Sequence, residues 1–139
     1  MIDTPYGKVT SDIFKRAQKV KLFVCDVDGV FSDGRIYLGN DGEELKAFHT
    51  KDGFGLKAIM QQGIDVAIIT GRQSHIVENR MTALGITHIF QGKDDKLSIY
   101  KSLLTELNLK PEQTAYIGDD VVDLPVIEIA GLGIAVNDA

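Results

Sequence analysis

The chain holds a single cysteine and three prolines among its 139 residues, and both scarcities narrow what it can be. One thiol, Cys25, forms no internal disulfide, which excludes a disulfide-framed secreted scaffold and points to a reducing compartment. Few prolines beside 14 glycines, in a chain 44% hydrophobic and 25% charged, exclude collagen-like, low-complexity and wholly disordered classes. Positive charge is short as well: 15 Lys and Arg against 20 Asp and Glu leave a net charge of −5 and a pI near 5.1. A field of that sign repels polyanions, so neither nucleic acid nor an anionic membrane is an expected partner. No apolar run approaches the ~20 residues that cross a bilayer. The opening MIDTPYGKVTSDIFKRAQ lacks the basic start and apolar stretch of a secretory signal. The expectation is one cytoplasmic domain over 1–139, since a chain near this size buries roughly 68% of its unfolded surface in one core.

What is present alternates strand and helix, the pattern of a mainly parallel sheet covered by helices in a three-layer, Rossmann-like α/β sandwich. Ser11 is the expected cap of a short helix carrying Ile13, Phe14, Ala17 and Val20 at roughly helical spacing. KLFVCDV (21–27) is a continuous run of β-type residues, as in a strand buried on both faces. Segments 35–38 and 43–48 flank GNDG (39–42), a hairpin signal because Gly, Asn and Asp tolerate positive φ. Asp52 opens a helix with Leu56, Ile59 and Met60 on one face, stopped at Gly63. DVAIIT (65–70) is a second buried strand, followed by a helix from Ser74 to Gly85. ITHIF (86–90) is a third strand, and Asp94 or Asp95 opens a helix carrying Leu97, Tyr100, Leu104 and Leu107. TAYIG (114–118) and GLGIAV (131–136) complete the sheet, with a helix over 124–130 between them. The hairpin is foreign to this rhythm and reads as an insertion with a function.

In an open parallel sheet, ligands bind outside the carboxyl ends of the strands. Here those ends carry Asp26-Val27-Asp28-Gly29, then Thr70-Gly71-Arg72, then a Gly92 loop leading to Lys96, then Gly118-Asp119-Asp120. Each aspartate alone is more often a turn or cap residue; four converging on one edge are not. Residues i and i+2 of a strand share a face, so Asp26 and Asp28 look into one pocket. Like charges at close range raise one another's pKa unless a cation intervenes. With Asp119 and Asp120 nearby, the set suits a hard cation, and Mg²⁺ better than Ca²⁺. Thr70 and Gly71, where a strand hands over to a helix, suit a phosphate. The chemistry that fits is phosphoryl transfer through a carboxylate: Asp26 attacks phosphorus, Asp28 acts as acid then base, and Mg²⁺, Thr70 and Lys96 neutralise the phosphoryl oxygens. Cys25 points away from Asp26 by strand alternation, and His75 and His88 lack metal-ligand spacing.

DVDGVFSDG (26–34), IITGR (68–72), Lys96 and GDDVVD (118–123) resemble the four motifs of the haloacid dehalogenase superfamily phosphatases. GEELKAFHTKDGFGLK (42–57), LGITHIFQGK (84–93) and AYIGDDVVDLPV (115–126) narrow the resemblance to the group acting on 3-deoxy-D-manno-octulosonate (KDO) 8-phosphate. It covers nearly the whole chain from about residue 6. The resemblance implies that Asp26 is nucleophile and metal ligand and Asp28 the acid/base and metal ligand through its carbonyl. Asp119 completes the Mg²⁺ site, supported by Asp120 and Asp123, while Thr70 and Lys96 hold the phosphate. Substrate contacts are implied for His49, Thr50, Lys51, Asp52, Gly53, Lys57, Arg72 and Arg80, besides Asp28 and Lys96. Basic groups there would pair the sugar acid's carboxylate. The resemblance also implies no cap domain, a homotetramer in which the hairpin joins subunits, and a role in lipopolysaccharide synthesis. Its members usually continue past the fifth strand in a glycine-containing tail; this sequence ends at Asn137-Asp138-Ala139. The alternatives are a nine-carbon sugar acid 9-phosphate as substrate, a receiver-type signalling domain, which needs an Asp where Ile89-Phe90-Gln91 stands, and a non-catalytic scaffold.

Overall fold

Unbroken apolar runs demand cover on both faces, and the computed structural model supplies it. It describes residues 2–4, 7–27, 30, 37–38, 44–45, 50–71, 73–92, 95–119 and 121–136. In chain order the described elements are β1 (Ile2–Thr4), β2 (Gly7–Val9), α1 (Ser11–Gln18), β3 (Leu22–Cys25), β4 (Tyr37–Leu38), β5 (Glu44–Leu45), α2 (Thr50–Gln61), β6 (Asp65–Ile69), α3 (His75–Ala83), β7 (His88–Phe90), α4 (Lys96–Leu107), β8 (Thr114–Gly118), α5 (Leu124–Ile129) and β9 (Leu132–Ala135). Single 3₁₀ turns lie at Pro111–Gln113 and Val121–Asp123.

Strands β7-β6-β3-β8-β9 form one sheet in that order, each neighbouring pair parallel. Along the chain this is the order 3-2-1-4-5, so the winding reverses between β3 and β8. Such a reversal opens a crevice at the carboxyl ends of the two central strands, where doubly wound folds take their ligands. A receiver-type domain has the order 2-1-3-4-5, so the topology overturns that alternative.

Strand alternation sorts the side chains into two cores. Leu22, Val24, Ala67, Ile69 and Tyr116 pack with Tyr100, Leu103 and Leu104 of α4 and Val126 of α5. Cys25, Val27, Val66 and Ile68 pack on the other face with Leu56 of α2 and Val77 and Met81 of α3. Each fully buried aliphatic side chain contributes about 1.5–3 kcal/mol, so the two cores clamp the sheet and fix the strand ends. Cys25 lies, as alternation predicts, in the core facing away from α4, and burial foremost, then Asp26, pushes its thiol well above the ordinary range.

Several boundaries differ from expectation for local reasons. Thr10, not Ser11, caps α1, accepting the Ile13 N–H at 3.2 Å. The apolar stripe of α1 does not reach either core: Ile13 and Phe14 are exposed. Helix α2 starts at Thr50, which places Asp52 in its first turn, where a carboxylate favours the helix dipole. Ser74 occupies the N-cap of α3 without a side-chain cap bond; its own N–H donates to Gln91 Oε1 at 2.7 Å, tying α3 to the end of β7. Asp95 caps α4, accepting from Ser98 N–H at 3.1 Å and Ser98 Oγ–H at 2.7 Å. Asn108, in the left-handed region, ends α4 ahead of Pro111. The antiparallel β1–β2 pair was not foreseen in the sequence. The β4–β5 pair, with Tyr37 opposite Leu45, falls inside the expected hairpin, whose GNDG turn lies outside the described residues.

Candidate active site

The site is built where β3 and β8 end side by side. Cys25 pairs with Ile117, and the next N–H, of Asp26, donates to the Ile117 carbonyl at 3.0 Å, so the sheet ladder itself sets Asp26 at the rim of the crevice. Beyond β8 the 3₁₀ turn folds Asp123 back over the strand. That fold needs a glycine at 118, because a Cβ there would stand 2.5 Å from Asp123 Oδ2. Lys96 opens α4, and its stem is buried to 3% exposure as it crosses from the α4 layer. Its Nζ reaches Asp123 Oδ1 at 2.7 Å and Asp26 Oδ1 at 3.3 Å. Tyr116, on β8, donates its hydroxyl to the same Asp123 Oδ1, and the Asp119 N–H donates to Asp123 Oδ2 at 3.1 Å. Asp26 Oδ1 accepts the Val27 N–H at 2.8 Å.

Oxygens of Asp26, Asp119 and Asp123 lie within 4.8 Å of one another. Burial pushes the Asp26 carboxyl up to about 7; the Lys96 ammonium opposes that rise, while Asp123 repulsion adds to it, with smaller effects from the Val27 N–H and the Asp119 carboxyl. The Tyr116 phenol is pushed far above its ordinary range, by burial first and by Asp123 second. Three hard oxygen donors facing one ammonium leave a negative, largely dry pocket, a donor set that fits Mg²⁺ and offers nothing a soft metal prefers. Asp123 has both oxygens engaged by Lys96, Tyr116 and Asp119, so it orders the site, and Asp26 and Asp119 are the carboxylates beside it that could hold a metal.

A profile of the haloacid dehalogenase-like hydrolases matches residues 41–131. The KDO 8-phosphate phosphatase KdsC of Yersinia pestis is 55% identical over 138 residues, covering 99% of this chain and 74% of that protein. The chain belongs to the haloacid dehalogenase-like hydrolase family. It is a hydrolase on that ground, and its fold agrees: a crystal structure of the Yersinia pestis phosphatase superposes with a TM-score of 0.97, covering 99% of this chain and 75% of that one. A KDO 8-phosphate phosphatase structure from Moraxella catarrhalis, in complex with magnesium, phosphate and KDO, superposes with a TM-score of 0.92 at 46% identity, covering 94% and 75% of the two chains.

Of the residues that the family motifs single out, Asp26, Lys96, Asp119 and Asp123 come together in the crevice. Thr70 follows β6, beside β3, is 2% exposed, and anchors its N–H to Phe90 O at 2.9 Å. Asp28, His49, Arg72 and Asp120 lie outside the described residues, and Thr50 and Lys51 are placed only as the first two residues of α2. On the same helix Asp52 and Lys57 are exposed and Gly53 is buried. Arg80, half-buried on α3, lies over Gly53: a Cβ at 53 would come within 2.5 Å of Arg80 Nη2. The Arg80 guanidinium thus packs against the α2 backbone at Gly53, where any side chain would displace it.

Tyr116 went unsingled in the sequence. The signal was available: a buried tyrosine needs a partner for its hydroxyl, and Tyr116 sits two residues before Gly118, on the strand face toward which Lys96 and Asp26 converge.

Proposed function

We propose that the chain is a Mg²⁺-dependent phosphatase that hydrolyses KDO 8-phosphate to KDO and phosphate, acting as one catalytic domain without a cap. The observation that carries this reading is the buried Asp26–Lys96–Asp123 cluster at the winding reversal of the sheet. The names of the Yersinia and Moraxella relatives support the sugar acid as substrate.

Asp26 is the nucleophile. Its carboxylate forms the bond to phosphorus as the bond from phosphorus to the sugar oxygen breaks, giving an aspartyl-phosphate. Lys96, fixed by Asp123, offsets charge on the phosphoryl oxygens, and Thr70 binds one of them. Asp28 gives its proton to the departing sugar oxygen and then takes one from the water that attacks the aspartyl-phosphate, which frees phosphate and restores Asp26. Asp26, Asp28 and Asp119, with Asp120 behind them, would hold Mg²⁺, which when bound would supply further positive charge for the phosphoryl oxygens. His49, Thr50, Lys51, Asp52, Gly53, Lys57, Arg72 and Arg80 form the sugar acid subsite, with cations to pair its carboxylate.

We further infer a homotetramer, joined through the β4–β5 hairpin, that excludes water from an uncapped site. A cytoplasmic enzyme in lipopolysaccharide precursor synthesis accords with this substrate. No described helix is long and apolar enough to cross a membrane.

The test is phosphate release from KDO 8-phosphate and a panel of other sugar phosphates, with Mg²⁺ and with EDTA, beside Asp26→Asn. Selective, Mg²⁺-dependent release that Asp26→Asn abolishes is the expected result. Equal release across the panel would overturn the substrate while keeping the chemistry. No release from folded protein would overturn the enzyme.

A further inference from the structure

We infer that Tyr116 is a positioning residue for Lys96, acting through Asp123; this deepens the proposed function and rests on it. Among the described residues, Lys96 of α4, Tyr116 of β8 and Asp119 in the turn after β8 converge on Asp123. Oδ1 accepts both the Lys96 ammonium, at 2.7 Å, and the Tyr116 hydroxyl, while Oδ2 accepts the Asp119 N–H at 3.1 Å. Asp123 is fully buried, so no bulk water stands ready to replace a lost donor.

The consequence for Lys96 is electrostatic. Its Nζ is shared between two carboxylates, closer to Asp123 than to Asp26, at 2.7 and 3.3 Å. In a dry site, an oxygen that already accepts a hydroxyl has less charge to offer a second donor. Tyr116 thus weakens the hold of Asp123 on Lys96 and leaves the ammonium poised over Asp26, where the phosphoryl group is transferred. Without the hydroxyl, Oδ1 of Asp123 loses a donor that competes with Lys96, and the ammonium is drawn away from the reacting atoms. Charge stabilisation that develops in the transition state is lost, while binding of the ground-state sugar acid, which rests on other residues, is kept.

The molecule supplies its own control. Tyr100 is a second fully buried tyrosine packed in the same core. Its hydroxyl donates to Thr114 Oγ at 2.7 Å, and Thr114 Oγ–H in turn donates to the Pro111 carbonyl at 2.8 Å. That network lies at the amino end of β8, and none of its members touches the acidic cluster. Tyr100→Phe removes one buried hydroxyl bond, as Tyr116→Phe does, without touching Asp123.

The experiment compares the two variants with the wild-type chain. Both are expected to melt at similarly lowered temperatures. Tyr116→Phe alone is expected to reduce kcat about tenfold with KM within about twofold, measured with KDO 8-phosphate and Mg²⁺. A second readout needs neither metal nor turnover. In EDTA-treated protein labelled with ¹⁵N-lysine, the Lys96 Nζ resonance, assigned by its absence in Lys96→Met, is expected to shift in Tyr116→Phe and to stay in place in Tyr100→Phe. Equal changes in the two variants, in kcat and in the Nζ resonance, would overturn the positioning role. If the wild-type chain hydrolysed no phosphate monoester, the proposed function would fall, and the Nζ comparison would still decide whether Tyr116 sets the place of Lys96.

Discussion

The two edges of the sheet carry charge in opposite ways. At the amino edge, a cleft of about 680 Å³ lies between α1, the Pro111–Gln113 turn and the end of α5, where Lys15, Arg16, Lys19 and Lys110 mix with Asp12 and Glu112. Its charges stand in water: the Arg16–Asp12 pair, at 3.1 Å, has side chains 54% and 72% exposed. At the carboxyl edge Lys96 and Asp123 meet at 2.7 Å with side chains 3% and 0% exposed. Exposed pairs contribute about 0–1 kcal/mol because water already serves both ions, whereas stripping one partner from a buried pair costs about 3–5 kcal/mol. Depth of charge is what separates the two edges, because burial, the foremost cause, moves the Asp26 carboxyl up to about 7, a range where its protonation can be used.

The largest effect that tests this contrast belongs to Lys96→Met. It leaves Asp26 and Asp123 buried without their ammonium, and a loss of about 3–5 kcal/mol is expected at pH 7.5 in EDTA. At pH 5 the stranded carboxyls can take up protons, so the loss should shrink. Urea denaturation at both pH values checks this. A loss below about 1 kcal/mol at pH 7.5 would mean that the buried pair behaves like the exposed one.

Next in size are two glycine substitutions of opposite sign. Gly118→Ala forces the Asp123 carboxyl off the strand, since the new Cβ would lie 2.5 Å from Oδ2, and should cost about 1–3 kcal/mol along with most activity. Gly55→Ala, in α2, meets nothing within 4 Å and should stabilise by about 0.4–1 kcal/mol through the unfolded chain. Thermal melts of the two variants should move in opposite directions.

The pH dependence of the metal-free protein follows from Asp26. Burial pushes its carboxyl up to about 7 in the fold, against an ordinary value of 3.8, so the folded state keeps a proton that the unfolded chain has released between those values. Stability from this group is therefore intact below about pH 4, falls as pH rises toward 7, and is level above it, at a slope of at most about 1.4 kcal/mol per pH unit. Asp26→Asn has no such proton to lose. In EDTA it should exceed the wild type in melting temperature at pH 8, with the gain fading toward pH 4. A gain that stayed constant across that range would mean that Asp26 is not held above its ordinary value by burial.

The strands and the chemistry at their ends were legible because both are local. A run such as 21–27 announces a buried strand, and the position of Asp26 just past its apolar core announces an edge. Lys96 was legible only through its place after the third strand and through the family motifs, since a lysine near the start of a helix is ordinarily solvated. The hold of Asp123 on Lys96 joins residues 27 apart, and no periodicity encodes it. Tyr116 and Gly118 were hidden for a related reason: one matters through its hydroxyl and the other through the side chain it lacks. The α1 stripe misled because spacing reveals a helix but not what covers it.

The smallest expected effect tests the contrast from the amino edge. Lys110→Glu reverses a charge on the cleft, at an exposed position before β8. The Pro111–Gln113 turn and the five residues of β8 separate it from Asp119, and the strand alone spans about 17 Å, twice the screening length of about 8 Å at 0.15 M salt. Stability should change by less than about 0.5 kcal/mol. At 150 mM salt kcat/KM should stay within about 1.5-fold of the wild type. At 10 mM salt the screening length reaches about 30 Å, the added negative charge is felt by an approaching anionic substrate, and kcat/KM should fall by about twofold. A threefold loss that persisted at 150 mM salt could not be a screened field. It would show that the amino edge is coupled to the catalytic edge through the sheet, and the contrast between an exposed and a buried arrangement of charge would no longer account for where the chemistry is done.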